Sequence, residues 1–123
     1  MLTDLAYGLA VLLNLLILFI GLRFVFVPRP AAAAYGVPAN PGGHVAYQTI
    51  KGIRDGSCGL LGLALLAFAG PRAEALFMLV AVIVPLADTF VVLRNGGTRA
   101  VAFGIHFATA VVILISAVLL FAA

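Results

Sequence analysis

Charge is scarce in this sequence, and so is cysteine. Only 9% of the 123 residues are Asp, Glu, Lys or Arg, and Cys58 is the single cysteine. Soluble domains carry about 25% charged residues, so the low charge excludes a typical soluble domain. One thiol excludes an intrachain disulfide and a metal site built from thiolates alone. The sequence also lacks a long basic run, which excludes a nucleic-acid partner. We expect neither a metal nor a cofactor.

Apolar residues take the place of the missing charge. Hydrophobic residues make up 65% of the chain, and its mean hydropathy is +1.27. About 45–50% is usual for a soluble domain. A core of this size cannot hide so much apolar surface, so membrane lipids must cover it. The spanning segments must be α-helices because backbone polar groups find no water partners in hydrocarbon.

Four apolar segments are long enough to cross a bilayer, which takes about 20 residues in a helix. They lie at about residues 5–27, 45–69, 73–93 and 100–121. Pro and Gly mark the breaks between them: Pro28, Pro30, Gly36, Pro38, Pro41, Gly42 and Gly43 in a first loop, Gly70-Pro71 in a second turn, and Asn95-Gly96-Gly97 in a third, with Thr98 as the N-cap of the last helix. Short turns make neighbouring helices antiparallel. The sequence therefore predicts an all-α fold, an up-down-up-down four-helix bundle in the membrane, with residues 1–123 forming a single transmembrane domain.

The positions of Lys and Arg predict the orientation, because cytoplasmic loops carry an excess of these residues. All of them except Arg72 lie at or near the first loop or the third turn. We therefore expect a multi-pass protein of the plasma (inner) membrane with both termini on the non-cytoplasmic side. The acidic Asp4, and no basic residue, precedes the first apolar run. That run also exceeds the length of about 7–15 residues typical of a signal peptide, so we expect a span and not a cleaved leader.

The second segment has two unusual faces. At about 100° per residue, one face of the helix collects polar side chains: Tyr47, Gln48, Lys51, Arg54 and Asp55. The adjacent stripe holds Gly52, Gly56 and Gly59. Small residues at this spacing let two helix backbones approach closely, so these glycines are predicted to pack against another helix.

Ionisable residues of three segments fall at nearly the same depth. At 1.5 Å per residue, Lys51, Arg54 and Asp55 lie roughly 9–15 Å from the cytoplasmic end of their span. Asp88 lies roughly 8–9 Å and His106 roughly 10–12 Å from the same side. An unpaired charge in hydrocarbon costs about 2.5–3.5 kcal/mol on insertion scales, so these side chains should turn inward and pair. Lys51 is expected to pair with Asp55, and Arg54 with Asp88.

Two residues further along shape the predicted site. Pro85 removes a backbone hydrogen bond and should open space beside Asp88, while Asn14 gives the first helix a polar position nearer the middle of the membrane. The candidate site residues divide by role. Asp55, Asp88 and His106 are the catalytic candidates, and the candidates for ligand binding or charge tuning are Lys51, Arg54, Gln48, Tyr47 and Asn14.

A resemblance rests on three stretches of this chain. They are Gly52-Ile53-Arg54-Asp55, Asp88 after Pro85, and Gly104-Ile105-His106. The pattern resembles an uncharacterised family, a domain of unknown function, of small four-helix integral membrane proteins that is similar to the DoxX-like group. The resemblance covers nearly the whole chain. It implies a four-helix bundle with an unassigned activity and supplies no catalytic residues.

Three functions fit the predicted polar cluster. A pocket that binds a small lipophilic ligand could support cofactor-free acid–base chemistry of the isomerase or cyclase type. A non-enzymatic accessory or assembly subunit would use its buried ions to fix helix register. A proton or small-solute conduit would use intramembrane carboxylates and His. Because the chain is short and lacks an internal repeat, a conduit would need a homo-oligomer.

Overall fold

The computed structural model describes residues 1–37 and 45–123, and these ranges contain helices and no strand. The helices are α1 (Leu2–Phe26), α2 (Pro28–Tyr35), α3 (Val45–Phe68), α4 (Pro71–Ala81), α5 (Ile83–Arg94), α6 (Arg99–Val101), a π-helical segment (Ala102–Phe107) and α7 (Ala108–Ala122). The long helical stretches begin and end within a few residues of the four predicted segments.

Three helical stretches of the described chain are long and apolar enough to cross a membrane. They are Leu2–Phe26, Pro71–Arg94 and Arg99–Ala122. Large apolar side chains cover their outer surfaces, such as Phe19, which is 58% exposed, and Val118, which is 64% exposed. Lipid is the environment in which such a surface is stable, so the chain is a multi-pass integral membrane protein.

Glycines bring α1 and α3 into backbone contact. A Cβ atom at Gly21 would lie 2.6 Å from the carbonyl oxygen of Gly52, and one at Gly59 would lie 2.6 Å from the carbonyl oxygen of Asn14. Gly56 differs, because the nearest atom to its Cβ position is 3.7 Å away, although its backbone nitrogen lies against Gly21. The predicted glycine stripe thus faces α1, with Gly52 and Gly59 at the closest approach.

The stretch between the second and third turns is broken at Val82, where α4 ends and α5 begins. Pro85 lacks an N–H group, and its ring clashes with the carbonyl of Ala81 one turn earlier. The hydroxyl of Thr89 donates to the Pro85 carbonyl over 2.8 Å. Pro85 was predicted to disturb the helix, and the structure has an interruption about one turn before it.

The second and third turns have the predicted local structure. Gly70, at φ +95°, leads into Pro71 at the start of α4. Gly96 also has a positive φ, +83°, which a glycine adopts without steric cost. The Thr98 hydroxyl accepts from the Val101 N–H over 3.1 Å, so Thr98 is the N-cap of the last helical stretch.

The first loop differs from the prediction, because its beginning is the helix α2. Pro28 stands at the first helical position, where its missing N–H is not needed and its fixed φ favours the helix. Gly36 ends α2 with φ +98°. The remaining predicted loop residues, Pro38, Pro41, Gly42 and Gly43, lie outside the described residues.

Small side chains close one end of the molecule. Ala6 and Ala10 of α1 are fully buried against residues from the end of α3, the start of α4 and the end of α7. Their partners in this cluster are Leu66, Ala75, Met78, Ala117 and Leu120. Because this end is tightly packed, the free space of the fold lies toward the other end, where α2 sits.

Candidate functional site

A cavity of about 340 Å³ lies between α1, α2, α3, the interrupted stretch α4–α5 and the last helical stretch. Ligand pockets typically measure about 300–1,000 Å³. Apolar side chains such as Leu16, Ile20, Phe77 and Val84 form much of its wall. The interruption at Val82 contributes to the space, since Ala81 and Pro85 both line the cavity. A wall of this kind suits an apolar molecule of modest size.

Ionisable side chains from four helical stretches line the same cavity: Arg23 of α1, Lys51 and Asp55 of α3, Asp88 of α5 and His106 of the π-helical segment. Lys51 Nζ donates to Asp55 Oδ2 over 2.5 Å, one helical turn along α3. The two side chains are 30% and 16% exposed, so the pair is partly shielded. Of the five residues that the depth argument groups, four line this cavity, and Arg54 does not.

Lys51 has aromatic contacts as well. Its Nζ lies 4.4 Å from the ring centre of Phe24 and 4.9 Å from that of Tyr35. A cation over an aromatic face gains about 0.5–2 kcal/mol, depending on how dry the site is. Together with Asp55, these rings hold the ammonium group in one position at the cavity wall.

Asp88 and His106 face each other without a direct hydrogen bond. Their Oδ2 and Nδ1 atoms are 3.9 Å apart, beyond hydrogen-bond distance. The other ring nitrogen, Nε2, donates to the Tyr35 carbonyl oxygen over 2.8 Å. His106 is buried, and it stands on a π-helical segment. Segments of this kind are frequent at functional sites because they turn a side chain out of the regular helical register.

Tyr35 is a site residue that the sequence analysis missed. Its ring centre lies 4.5 Å from that of His106 and 6.3 Å from that of Phe24. Burial raises the pKa of the Tyr35 hydroxyl far above its ordinary value, and a hydrogen bond with Asp88 acts in the same direction. The hydroxyl is therefore a donor at neutral pH. The available signal was the Pro28-x-Pro30 start followed by alanines, which suits a helix N-terminus as well as a loop.

Three predicted residues do not reach the cavity. Arg54 is exposed on α3, and in the described part of the chain no ion pair joins it to Asp88. The predicted Arg54–Asp88 pair is thus absent, because Asp88 turns toward His106. Tyr47 is 67% exposed and Gln48 half-buried, and neither lines the cavity.

Asn14 does line the cavity, and it connects to a second residue that the sequence analysis missed. Its Nδ2 donates to Glu74 Oε1 over 2.7 Å and to the Ala10 carbonyl over 2.9 Å. Glu74 is fully buried, and its Oε2 has no hydrogen-bond partner among the described residues. Glu74 follows Gly70-Pro71 in the first turn of α4, where an acidic residue is typical of an ordinary helix start. The sequence position of Glu74 therefore did not indicate that its side chain is buried.

No group of three or more His, Cys, Asp or Glu side chains in residues 1–37 and 45–123 is arranged to hold a metal ion. The polar side chains that line the cavity can act as acids, bases and hydrogen-bond partners. Asp88 and His106 are the acid–base candidates, Tyr35 is a donor, and Lys51 with Asp55 is a fixed pair.

Most of this chain matches a known protein family. The family described as Domain of unknown function (DUF4267) matches the chain over residues 14–120. The chain belongs to this family. The expected membership of an uncharacterised family is thereby confirmed, whereas the expected similarity to the DoxX-like group finds no support. No curated protein and no solved structure matches the chain. The DUF4267 match begins at Asn14 and includes the charged residues of the cavity.

Proposed function

We propose that this DUF4267 protein crosses the membrane four times and binds a small lipophilic ligand in the cavity. The observation that carries the proposal is the kind of side chain that lines the cavity. Apolar side chains form most of a space of about 340 Å³, and Lys51, Asp55, Asp88 and His106 reach into it. A molecule with an apolar body and one polar group matches such a wall.

In this proposal α3 crosses the membrane in addition to the three most apolar stretches, which gives four spans. It has 24 residues, about 36 Å at 1.5 Å per residue, which is enough to cross the hydrocarbon. Its charges lower its hydropathy, but Lys51 and Asp55 are paired against the cavity. The glycine contacts with α1 support an antiparallel partner inside one transmembrane domain. The Lys and Arg positions then put both termini on the non-cytoplasmic side of the plasma (inner) membrane.

The same cavity supports a catalytic role. An isomerisation or cyclisation removes a proton from one position of the substrate and returns a proton at another, so it needs no electron carrier. In this proposal Asp88 or Nδ1 of His106 removes the substrate proton and returns it at the other position, and Asp55 is held in place by its pair with Lys51. Positioned acid–base groups typically contribute about 10²–10⁴-fold in rate.

One observation favours a second candidate, a proton conduit. Glu74 does not line the cavity itself, but it is buried and bonded to the cavity-lining Asn14, on a different helix from Asp88 and His106. Ionisable groups at separate depths are the usual parts of a proton path. In this alternative a homo-oligomer would complete the path, whereas in the ligand-binding proposal Glu74 is a structural partner of Asn14.

A cavity-filling variant tests the ligand-binding proposal. The protein is placed in lipid nanodiscs, and uptake of radiolabelled 1-naphthol is measured by equilibrium dialysis against empty nanodiscs. We expect a saturable excess of bound probe. Ala81→Leu, which places three extra carbons in the cavity, should abolish it. Ala87→Leu makes the same change at an exposed position that does not line the cavity, and it should bind normally. Equal uptake by protein-containing and empty nanodiscs would refute the proposal.

A further inference from the structure

The hydrogen bond to Tyr35 fixes the tautomer of His106. A carbonyl oxygen only accepts, so Nε2 must carry the hydrogen that it donates over 2.8 Å. In a neutral imidazole the other nitrogen, Nδ1, then has a free lone pair and accepts. A main-chain group of α2 thus determines what the ring offers to the cavity.

Two acceptors therefore face each other across 3.9 Å, Nδ1 of His106 and Oδ2 of Asp88. In the described part of the chain, no side-chain donor lies within hydrogen-bond distance of Nδ1. Lys51 is engaged with Asp55, and the Tyr35 hydroxyl interacts with Asp88. Nδ1 of His106 is thus left without a donor among the described residues.

The formal charge around the cavity is balanced. Lys51 and Arg23 are the cations in its lining, and Asp55 and Asp88 are the carboxylates. With His106 neutral the sum is zero, so the lining gives no excess of positive charge to attract an anionic head group. An anion or an ether oxygen placed beside Asp88 and Nδ1 would bring one more acceptor to two existing ones.

We infer that the ligand of this site is a neutral apolar alcohol or phenol, whose hydroxyl donates to the Asp88–His106 pair. This inference rests on the proposed function and adds the chemical class of the ligand. The hydroxyl hydrogen supplies the donor that Nδ1 lacks, and the rest of the molecule occupies the apolar space beside Leu16, Ile20 and Phe77.

The first test concerns the protein without any ligand. In a His44→Gln background His106 is the only imidazole, and its two nitrogens are resolved by nitrogen-15 NMR at pH 7.5. We expect a protonated Nε2 and a bare Nδ1. An imidazolium, or a proton on Nδ1 with a bare Nε2, would overturn the inference whatever the ligand.

The second test compares two matched probes in nanodiscs, 1-naphthol and its methyl ether 1-methoxynaphthalene. They share the ring system and differ in the hydroxyl hydrogen. After uptake by empty nanodiscs is subtracted, we expect 1-naphthol to bind about tenfold more tightly, the value of one net hydrogen bond. Addition of 1-naphthol should also shift the Nδ1 resonance.

Asp88→Asn removes one acceptor and introduces an amide that can itself donate to Nδ1, so the preference for 1-naphthol should fall to about onefold. Asp4→Asn makes the same chemical change at an exposed carboxylate outside the cavity and should keep the preference. Equal, saturable binding of both probes to the unchanged protein would overturn this inference and leave the proposed function standing. Binding of neither probe would refute both.

Discussion

Asn14 on α1 donates a hydrogen bond to Glu74 on α4 over 2.7 Å, and both side chains are buried. This contact joins the first and third apolar stretches between the cavity and the packed end of the molecule. Glu74 depends on it, because its second oxygen has no partner among the described residues. A buried polar group that loses its only partner keeps its desolvation cost without compensation.

We therefore predict that Asn14→Leu lowers the free energy of unfolding by about 1–3 kcal/mol, the cost of an unsatisfied buried group. The Asn14 side chain lies against Gly62 of α3, and Leu branches at the same carbon as Asn, so the packing there should change little. Thermal unfolding in detergent is the measurement. Asn95→Leu is the control, because Asn95 is exposed and donates only to the Val91 carbonyl of its own helix. Its effect should stay within about 0.5 kcal/mol.

Replacing both partners distinguishes this mechanism from simple loss of packing. Removal of a donor together with its acceptor can be nearly neutral, so Asn14→Leu/Glu74→Met should unfold at a temperature close to that of the unchanged protein. If the double variant is instead less stable than Asn14→Leu alone, Glu74 has a stabilising role beyond this hydrogen bond.

The second prediction compares two glycines of α3 that differ in the space available for a side chain. A Cβ at Gly52 would lie 2.5 Å from the Gly21 carbonyl oxygen, whereas a Cβ at Gly56 has no atom nearer than 3.7 Å. We expect Gly52→Ala to separate α1 from α3 and to reduce folded yield and melting temperature markedly. Gly56→Ala should be neutral or stabilising by up to about 1 kcal/mol, since Ala favours the helix. Equal losses for the two variants would contradict the observed register of α1 on α3.

The sequence predicts the depth of a helical residue far better than its direction. Helix rise is constant, so the common level of Lys51, Asp55, Asp88 and His106 follows from counting residues. Direction depends on which face packs. The glycine contacts turn the adjacent face of α3 toward α1, and Arg54 consequently lies outside the cavity.

The positions of Tyr35 and Glu74 in the fold could not be predicted from the sequence for a different reason. Each follows a proline that marks a segment boundary, and residues near a boundary are usually exposed. α2 instead lies against the cavity and places Tyr35 beside His106. Glu74 is fully buried and meets Asn14 of another helix, a contact that exists only in the assembled fold. Such placements depend on contacts between distant segments, which periodicity within one segment does not encode.

The third prediction concerns which charged side chains are in contact, and two double-mutant cycles test it. Lys51 and Asp55 are in contact, so the effects of Lys51→Leu and Asp55→Leu on unfolding should be coupled by about 0.5–3 kcal/mol. No ion pair joins Arg54 to Asp88 in residues 1–37 and 45–123, so the effects of Arg54→Leu and Asp88→Leu should add within about 0.5 kcal/mol. Chemical denaturation of the four single and two double variants provides both values. Strong coupling of Arg54 with Asp88 would contradict the exposed position of Arg54.

The number of crossings gives the last prediction, and α3 decides it. Reporters that are active on one side of the membrane only, alkaline phosphatase outside the cytoplasm and green fluorescent protein inside, are fused after Gly70, after Gly96 or after Ala123. Four spans with the first loop in the cytoplasm put Gly70 and Ala123 outside and Gly96 inside, as the basic residues Arg94 and Arg99 favour. If α3 stays on the cytoplasmic surface and only the three most apolar stretches cross, the order inverts at each position. Gly70 and Ala123 would then lie inside, and Gly96 outside. The three fusions should agree with one another, and the inverted pattern would exclude the proposed arrangement of four spans with the first loop in the cytoplasm.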